Sequence, residues 1–482
     1  MSTCVATPQS ICRLGVARCE ITPPVGMYHR MWGAASHDRS TGVHRPLTAT
    51  AAVFQPAEKS EAESLQVVLA VDHCLLWGRE MDELLTRISS DTGLTRDVLT
   101  VAFSHTHGAG LMDTSRAHLP GGELIAPYLK SLASKLSQLL WEARQTLRPA
   151  TIVYGSGRCA LAAERDFWDA AREHYVCGFN PQGTCDDTVL VARATDEQGR
   201  TLATVVNYAC HPTTLAWENT LISPDYPGAM REVVEGATRA PCLFLQGASG
   251  DVGPREGFVG ATRVADANGR QLGYAVLAAL ENLPPPRTKF TYRGPVVSGA
   301  TLGTWSHETL SADELATLQQ WRMKRWTVDL PYREGLPNLE QVAADRQRHA
   351  VEEQESRRCG NAARASELRA LVERADRQLT RLGALPRGPA FPMPVVAWQM
   401  GDAVWLAVEG ELYNVFQREL RQRYPRHPLL LATIANGSRP SYLPMREAYG
   451  KGLYQESIAV VAPGSLESLL EAIAEHLKTW LS

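Results

Sequence analysis

Two histidines two residues apart, His105 and His107, follow the apolar run Val101–Phe103 and stand directly before Gly108. In an extended strand, residues i and i+2 point to the same face, so both imidazoles would face one cavity. Two neutral imidazoles that converge at a strand end are typical of a zinc or other transition-metal site. A His-x-His pair alone is a weak signal, because strands also bury histidines for packing. The pattern therefore predicts a strand end that forms a metal site if further ligands lie elsewhere in the chain.

The composition is that of a soluble globular enzyme, since 44% of the 482 residues are hydrophobic and 21% are charged. A chain of this length can bury a large core. Lys and Arg total 49 against 52 Asp and Glu, which leaves a net charge of −3. This balance gives no electrostatic reason to expect nucleic acid as a partner.

The ten cysteines are scattered and include no Cys-x-x-Cys pair. This pattern favours reduced, buried thiols over a disulfide framework and predicts a cytoplasmic location. The first residues have neither a basic start nor a long apolar segment, and no apolar run approaches the roughly 18 residues of a membrane span. We therefore expect neither secretion nor membrane insertion.

Short apolar runs alternate with helical stretches from about residue 14 to residue 300, which predicts an α/β (α+β mixed) fold with its sites at the carboxyl ends of strands. The predicted strands are Ala49–Phe54, Leu65–Val71, Val98–Phe103, Thr151–Gly155, Thr201–Tyr208 and Pro241–Leu245. The predicted helices between them are Glu80–Ser90, Glu123–Thr146, Pro227–Glu235 and Arg270–Leu283.

Residues 308–384 differ in character, being rich in Arg, Glu, Gln and Ala and without a convincing strand. One helical face is apolar, formed by Leu368, Leu371, Val372, Ala375, Leu379 and Leu382. We expect a helical insertion packed on the main domain, with an oligomer contact as the alternative, inside a single domain of residues 1–482. The chain then returns to predicted strands at Val395–Met400, Ala403–Val408 and Leu429–Ala435, and ends in a predicted amphipathic helix at Ser465–Leu481.

Other candidate site residues also stand at the ends of predicted elements. His211 follows an apolar strand and is followed by Pro212, which stops the ladder. A second strand-end histidine strengthens the metal hypothesis, because zinc usually takes three or four protein ligands. Asp225 stands just ahead of a helix, where an acidic residue often serves only as a cap.

A glycine-rich turn after the strand Pro241–Leu245 contains Ser249, Asp251 and Gly253. Its backbone amides could face a developing oxyanion or an acidic group. It is not a phosphate-binding loop, because the Lys-Ser/Thr ending is missing.

Two acids, Glu409 and Glu411, stand at a later strand end, and residues 435–454 form a loop dense in Asn, Gly, Pro and Tyr. Loops of this composition often line sites, although tyrosines that only pack the loop are equally common.

Together these segments resemble the neutral/alkaline (non-lysosomal) ceramidase family over about residues 14–305 and 390–460. The family motifs Thr-His-Thr-His, Ala-x-His-x-Thr, Ile-Ser-x-Asp and Gly-Asp-Val-x-Pro match Ser104–His107, Ala209–Thr213, 222–225 and 250–254 in the same order. The Pro-Gly-Glu motif matches Glu409–Glu411 with a glutamate in place of proline, and a tyrosine-rich motif matches Tyr442 to Tyr454 with Met445 in place of threonine.

The resemblance implies the catalytic-domain fold of that family and one zinc ion (Zn2+) per chain. The implied ligands are His105, His211, Glu411 and Tyr442. Glu409 is the alternative to Glu411, because the two would share a strand face and the register would decide between them. The resemblance also implies that His107 and Tyr454 donate hydrogen bonds to the oxyanion, with Arg165 in the same pocket.

The chain departs from the family at Gly253, where the family carries a serine that aligns as the residue activated by the metal. A glycine there would widen the substrate pocket, which we expect Asp225 and Ser249 to line as well. The chain also ends soon after the last motif, so we expect no C-terminal β-sandwich domain, and ceramide itself becomes a doubtful substrate.

Zinc can hydrolyse an amide without a serine, because a metal-activated water can attack directly. Asp251, Glu409 or His107 would then carry the proton. We therefore expect a zinc-dependent hydrolase that cleaves a C–N amide bond of a small N-acyl substrate, either as a monomer or as a homo-oligomer. An ester hydrolase or deacetylase on the same site, and a catalytically inactive metal-containing binding protein, are the alternatives.

Overall fold

A computed structural model of the chain describes residues 3–58 and 65–481. The strands are β1 (Cys4–Val5), β2 (Gln9–Glu20), β3 (Gly42–Val43), β4 (Thr48–Pro56), β5 (Gln66–Val71), β6 (Leu99–Phe103), β7 (Arg148–Arg158), β8 (Ala162–Glu164), β9 (Asp166–Asp169), β10 (His174–Cys177), β11 (Thr188–Thr195), β12 (Thr201–Tyr208), β13 (Leu221–Ile222), β14 (Cys242–Gln246), β15 (Val252–Pro254), β16 (Thr288–Val297), β17 (Thr301–Thr309), β18 (Trp321–Pro331), β19 (Ala390–Met400), β20 (Ala403–Val408), β21 (Glu411–Leu412), β22 (Leu429–Ala432) and β23 (Tyr442–Leu443). The helices are α1 (Gly78–Thr92), α2 (Ile125–Gln145), α3 (Tyr226–Thr238), α4 (Thr262–Glu281), α5 (Ala312–Thr317), α6 (Leu339–Arg358), α7 (Ala362–Gly383), α8 (Val415–Arg423), α9 (Tyr454–Ile458) and α10 (Ser465–Leu481). Among the described helices, none combines the length and the apolar character that a bilayer crossing requires.

Two sheets pack face to face between layers of helices. Helices α1 to α4 cover one face of an eight-stranded sheet, and the four-stranded sheet β18-β19-β20-β22 packs on its other face. Helices α8 and α10 cover the outer face of the smaller sheet. Strands that are buried on both faces, such as β5 and β20, are continuously apolar for this reason.

The eight-stranded sheet has the order β14-β12-β11-β7-β2-β4-β5-β6 and mixes parallel with antiparallel pairs. Six strand spacings separate β12 from β6 in this order, a distance of about 29 Å along a flat sheet. The edge strands β6 and β14 nevertheless contact each other. The sheet is therefore strongly curled, and the chain segments that follow β6 and β12 meet.

The segment after β22 joins the two edges of the curled sheet. Thr433 N donates to Gln246 O at the end of β14 (2.9 Å), and Asn436 N donates to Val101 O on β6 (2.9 Å). The Asn436 side chain adds two bonds to the same edge, because Oδ1 accepts from Val101 N (2.7 Å) and Nδ2 donates to Leu99 O (3.0 Å). Asn436 has a φ of 58°, a left-handed conformation that asparagine tolerates better than most residues.

The predicted α/β (α+β mixed) class is confirmed, and most predicted elements correspond to observed ones. The strand Thr201–Tyr208 and the helix Ser465–Leu481 have the predicted bounds, whereas the last predicted strand ends early, at Ala432. Sequence patterns did not indicate the central strand β2, which carries Arg13 and Arg18 among its apolar residues.

The prediction that residues 308–384 lack a strand is wrong, because β18 crosses this segment and pairs antiparallel with β19 over its whole length. Large apolar side chains alternate with Arg, Lys and Asp along it, as in a strand at the edge of a sheet with one face toward solvent. Because this strand carries many charged residues, its two-residue alternation of apolar and polar side chains was not recognised from the sequence. The other elements of the segment, α5, α6 and α7, are helices as expected, and α6 begins in a capping box formed by Asn338 and Gln341.

A buried ion pair fixes helix α7 to the rest of the domain. Arg116 Nη1 donates to Glu373 Oε2 (2.6 Å), while Glu373 Oε1 accepts from Tyr28 Oη (2.9 Å) and pairs with Arg369 Nη2 (2.8 Å). Arg116, Tyr28 and Glu373 are all buried. Helix α7 therefore has a fixed position against the main domain.

We predict that Glu373→Leu lowers the free energy of unfolding by about 3 kcal/mol, because it removes the shortest ion pair of the buried Arg116 guanidinium and leaves only the longer contacts to Asp113 (3.5 Å) and Asp376 (3.6 Å). The double variant Arg116→Leu/Glu373→Leu should recover much of this loss. Urea denaturation measures both, with Glu367→Leu on the exposed face of α7 as the control. A Glu373→Leu effect no larger than that of the control would contradict the anchoring role.

Candidate metal centre and active-site cavity

Three ligand atoms from distant parts of the chain converge at one buried point. His105 Nε2 lies 2.9 Å from His211 Nε2. Glu411 Oε2 lies 3.4 Å from the first of these atoms and 3.6 Å from the second. All three residues are buried, and their ligand atoms lie within 4.8 Å of one another. The arrangement can hold a metal ion.

Backbone carbonyls set the orientation of both imidazoles. His105 Nδ1 donates to Cys74 O (2.7 Å), and His211 Nδ1 donates to Ser249 O (3.1 Å). Because a carbonyl oxygen only accepts, each Nδ1 carries a ring proton, and the Nε2 atoms face each other. This second hydrogen bond is typical of histidines that bind metal. Two lone pairs this close repel unless a positive charge lies between them.

Glu411 supplies the complementary charge. Burial acts to raise the pKa of its carboxyl, but His105 and the Tyr442 hydroxyl outweigh burial and bring this pKa below its usual value. Its Oε2 is buried and has no hydrogen-bond partner among the described residues. An ionised, unpartnered carboxylate oxygen beside two imidazole nitrogens fits a divalent cation.

The difference in charge between His105 and His211 agrees with a site that holds a cation. Burial, followed by the charges of Arg165 and His105, holds the pKa of His211 well below its usual value, so its ring is neutral. Burial also acts to lower the pKa of His105, but Cys74 and Glu411 outweigh burial and raise this pKa well above its usual value. The cluster therefore favours one positive charge at this point, and metal binding would displace a proton.

The two acids Glu409 and Glu411 do not share a strand face, contrary to the expectation. Gly410 lies between β20 and β21 with a φ of 90°, and this turn sends the two carboxylates in different directions. The Glu409 carboxylate forms a two-pronged ion pair with Arg439 (2.8 Å from Oε2 to Nη2) and accepts from the Arg439 backbone as well (2.7 Å). Glu411 is thus the acid that faces the two histidines.

Tyr442 lies beside Glu411, because β21 and β23 pair in parallel with these two residues opposite each other. Its hydroxyl accepts from Arg165 Nη2 (3.1 Å), and its ring stacks on that of His211 with the ring centres 6.4 Å apart. Burial and the charge of Glu411 raise the pKa of Tyr442 well above its usual value. Arg165 is held in turn by a bond from Nη2 to Gly250 O (2.6 Å).

His105 and His107 are not adjacent positions of one strand face, because β6 ends at Phe103 and His105 has a φ of 65°. Their rings still lie close, with centres 5.0 Å apart and nearly perpendicular planes. Both ring nitrogens of His107 are buried without a partner among the described residues. Burial, with the charges of His105 and Arg165, holds the pKa of His107 well below its usual value. His107 therefore offers a neutral, unpartnered ring at the cavity wall.

A second possible metal group, Cys74, His105 and His107, overlaps the first. In this group the His105 atom in contact with Cys74 Sγ is Nδ1, at 3.5 Å. That nitrogen already donates its proton to the Cys74 carbonyl. A protonated nitrogen cannot bind metal, so the group with His211 and Glu411 is the better candidate.

The metal centre lies against a cavity of about 460 Å³, a size that suits a small molecule. Trp32, Trp217 and Phe258 form an aromatic wall, with the Trp32 ring centre 5.6 Å from that of Phe258 and 6.2 Å from that of Trp217. Phe258 has a φ of 55°, an unfavourable conformation for a bulky residue. Hydrogen bonds from Phe258 N and Val259 N to the backbone of 213–214 hold it there (2.9 Å each).

The remaining predicted site residues divide between cavity and scaffold. His107, Arg165, Tyr442 and Tyr454 line the cavity together with the ligand cluster. Asp225 does not, because it is the N-cap of α3, where Oδ1 accepts from Tyr226 N (2.6 Å) and Oδ2 from Leu215 N (2.9 Å). The capping reading of this residue is the one that the structure favours.

Ser249 and Asp251 are also absent from the cavity wall within the described residues. The Ser249 hydroxyl accepts from Gln246 Nε2 (2.6 Å). Ser249 contributes to the site through its backbone carbonyl, which accepts from His211 Nδ1. The Asp251 carboxylate accepts from Asn414 N (2.6 Å), and burial raises its pKa to about 7. Both residues support the loop rather than face the cavity.

Gly253 stands next to the ligand cluster. A Cβ built there would lie 3.7 Å from Thr213 Oγ1, 3.8 Å from Arg165 Cδ and 3.9 Å from His211 Cβ. These are ordinary contact distances, so the position has room for a side chain that points toward the site. A Cβ therefore fits at this position without moving a neighbour, although Gly253 is not among the described residues that line the cavity, and the widened pocket stays a prediction.

Sequence reasoning missed several residues of the cavity. Trp32 and the arginines of α7 lie far in sequence from every motif, whereas Trp217 and Phe258 stand four residues after motifs. Cys74 contributes through its backbone carbonyl, which leaves no signal in the sequence. The cavity-lining residues of α7 could have been predicted only if the sequence had shown which face of this helix meets the cavity.

We predict that Gly253→Ser folds with a loss of less than about 1 kcal/mol, because no neighbour has to move. Gly250→Ser is the contrasting variant, since its Cβ would lie 2.7 Å from the backbone oxygen of Glu411. It should cost about 1–3 kcal/mol by overpacking. Thermal unfolding of both proteins measures the difference, and equal losses would contradict the open space at Gly253.

No protein-family model matches this chain, and no curated protein matches it by sequence. Among solved structures it is similar to the neutral ceramidase from Pseudomonas aeruginosa, with a TM-score of 0.62 and 15% identity over 97% of this chain and 74% of that one. It is also similar to a ceramidase complexed with C2, with a TM-score of 0.63 and 15% identity over 99% of this chain and 76% of that one. The chain therefore has a neutral ceramidase-like fold.

Proposed function

We propose that the protein is a zinc-dependent amidohydrolase that cleaves the C–N bond of a small N-acyl substrate. The observation that carries this proposal is the convergence of His105 Nε2, His211 Nε2 and the unpartnered Glu411 Oε2 at the buried wall of a cavity of about 460 Å³. The ceramidase-like fold supports the same reaction class by analogy. A cytoplasmic location remains an expectation from the sequence.

His105, His211 and Glu411 would hold the zinc ion, with Tyr442 as the fourth ligand. This set of imidazole and oxygen donors suits zinc. When bound, zinc would polarise the substrate carbonyl and lower the pKa of a water molecule to about 7. Tyrosine is an uncommon zinc ligand, and burial and Glu411 hold the pKa of Tyr442 well above its usual value, so the bound cation itself would have to stabilise the phenolate, with the hydrogen bond from Arg165 Nη2 to its hydroxyl (3.1 Å) acting in the same direction.

His107 and Tyr454 would bind the reacting carbonyl. The unpartnered nitrogens of His107 can donate one hydrogen bond to the oxygen that gains negative charge. The Tyr454 ring lies 5.9 Å from that of Tyr442 and lines the same cavity, so its hydroxyl would donate to the same oxygen. Such donors stabilise the transition state more than the substrate.

The proton transfer would fall to His107. Hydrolysis adds water across the C–N bond, so one proton must pass from the water to the leaving nitrogen. Of the three predicted proton carriers, Asp251 and Glu409 are engaged elsewhere, by Asn414 N and by Arg439. The neutral ring of His107 stands at the cavity wall and can accept and return a proton.

The alternatives use the same residues. An ester substrate needs the same metal and oxyanion donors, so an esterase or a deacetylase differs only in the bond that is cleaved. An inactive binding protein is less well supported, because a site without catalysis has no use for unpartnered buried nitrogens on His107. Matched N-octanoyl and O-octanoyl substrates separate the first two, and turnover of neither would favour the third.

We predict that His105→Ala and His211→Ala each lose both the bound zinc and the hydrolase activity, because each removes one of three converging ligands. Metal analysis by mass spectrometry should find near one zinc per wild-type chain. His118→Ala is the control, since this histidine is exposed and lies outside the cluster. Zinc retained at the wild-type level in both single variants would overturn the ligand assignment.

We further predict that His107→Ala keeps its zinc while kcat falls about 10²–10³-fold, since a donor to the oxyanion is lost. Tyr454→Phe should act in the same direction and also keep the metal. Steady-state kinetics and metal analysis on the same samples measure these effects. An unchanged kcat in both variants would rule out the proposed roles.

A further inference from the structure

One wall of the cavity is formed by helix α7, which brings three arginines to it. Arg374, Arg377 and Arg381 are spaced three and four residues apart, so they lie on one face of the helix. All three line the same cavity as the metal centre. This wall is separate from the aromatic wall formed by Trp32, Trp217 and Phe258.

The arginines of this wall have no carboxylate partner within 4.0 Å among residues 3–58 and 65–481. Arg374 Nη2 donates only a long bond to Ser457 Oγ (3.4 Å), and Arg377 Nη2 donates to Arg30 O (3.1 Å). The Nε atoms of Arg377 and Arg381 are buried without any partner that the structure describes. Buried donors without a partner are costly, and a ligand that accepts from them would remove that cost.

Most of the other arginines of α6 and α7 lie within 4.0 Å of a carboxylate, Arg358 at the exposed end of α6 being the exception among the described residues. Those with a carboxylate within reach are Arg346, Arg348, Arg357, Arg364 and Arg369. The one acid of α7 that lines the cavity, Glu373, already binds Arg116 and Arg369. The unpaired positive charge is therefore concentrated on the cavity side of α7.

The acids nearest to this wall do not neutralise it. Glu411 belongs to the metal cluster, and Asp376 pairs with Arg346 (3.0 Å) on another face of the helix. The cavity thus combines an apolar aromatic wall, a metal centre and a wall of three arginines. A guanidinium binds carboxylate and phosphate oxygens through paired N–H donors, which a neutral headgroup cannot match.

We propose that the substrate carries an anionic group, a carboxylate or a phosphate, that binds Arg374, Arg377 and Arg381 while its acyl part packs on the aromatic wall. The inference rests on the proposed amide hydrolysis for its reaction and adds the class of substrate. Helix α7 lies in residues 308–384, so this segment selects the substrate.

The test compares anionic and neutral substrates with the same acyl chain. N-octanoylglycine is matched with N-octanoylglycinamide, and N-octanoylethanolamine phosphate with N-octanoylethanolamine. For the wild-type protein we expect kcat/KM to be about tenfold or more higher for the anionic member of at least one pair. The pair that shows the larger ratio distinguishes carboxylate from phosphate.

Arg381→Met and Arg374→Met should each reduce this ratio about tenfold, mainly through KM for the anionic substrate. Arg381→Lys retains the positive charge and should keep part of the preference for the anionic substrate. Arg358→Met removes a charge from the exposed end of α6, outside the cavity, and should leave the ratio unchanged. Thermal unfolding verifies that the variants fold, and Arg374 is exposed, so we expect its substitution to leave stability nearly unchanged.

Binding separates this inference from the proposed reaction. N-octanoylglycine should quench tryptophan fluorescence at lower concentration than N-octanoylglycinamide, even in the His105→Ala variant, where the metal cannot attract the anion. If the wild type hydrolyses the anionic and the neutral member equally well in both pairs, or if the arginine variants slow both members of each pair equally, the anionic specificity is wrong and amide hydrolysis stands. If it hydrolyses neither, the proposed function fails, and equal binding of the two compounds would overturn the arginine site as well.

Discussion

The closure of the curled sheet is the constraint on which the site depends. His105 follows the edge strand β6, and His211 follows β12 near the opposite edge, yet their Nε2 atoms are 2.9 Å apart. Asn436 and Thr433 hydrogen-bond to the two edges and hold them together. Each histidine then needs only one backbone carbonyl behind it to fix its ring. The candidate metal centre therefore depends on the whole sheet rather than on one loop.

Once the sheet is closed, the chemistry of the cavity follows from what surrounds the ligand cluster. Gly253 leaves room beside His211, and His107 presents nitrogens that no described residue satisfies. Helix α7, anchored through Glu373, adds three arginines to the wall of the same cavity. The residues of the candidate metal centre and the arginines of α7 thus come from different segments of the chain.

The sequence named the three residues that converge in the candidate metal site because each of them follows a strand whose apolar pattern is easy to recognise. It could not rank Glu409 against Glu411, since the answer depends on the positive φ of Gly410. It also assigned Asp225 and Asp251 to the site, although backbone N–H groups occupy both carboxylates. Acidic residues near a site serve as caps and as catalysts in similar sequence contexts, so only the tertiary contacts separate the two roles.

The central claim is that His105, His211 and Glu411 bind one metal ion. The most direct measurement is an anomalous difference map from crystals of the zinc-replete protein, recorded on both sides of the zinc absorption edge. We expect a single strong peak within bonding distance of His105 Nε2, His211 Nε2 and a Glu411 oxygen, about 2.0–2.2 Å from each. A peak between Cys74 and His107, or no peak beside His211, would contradict the account.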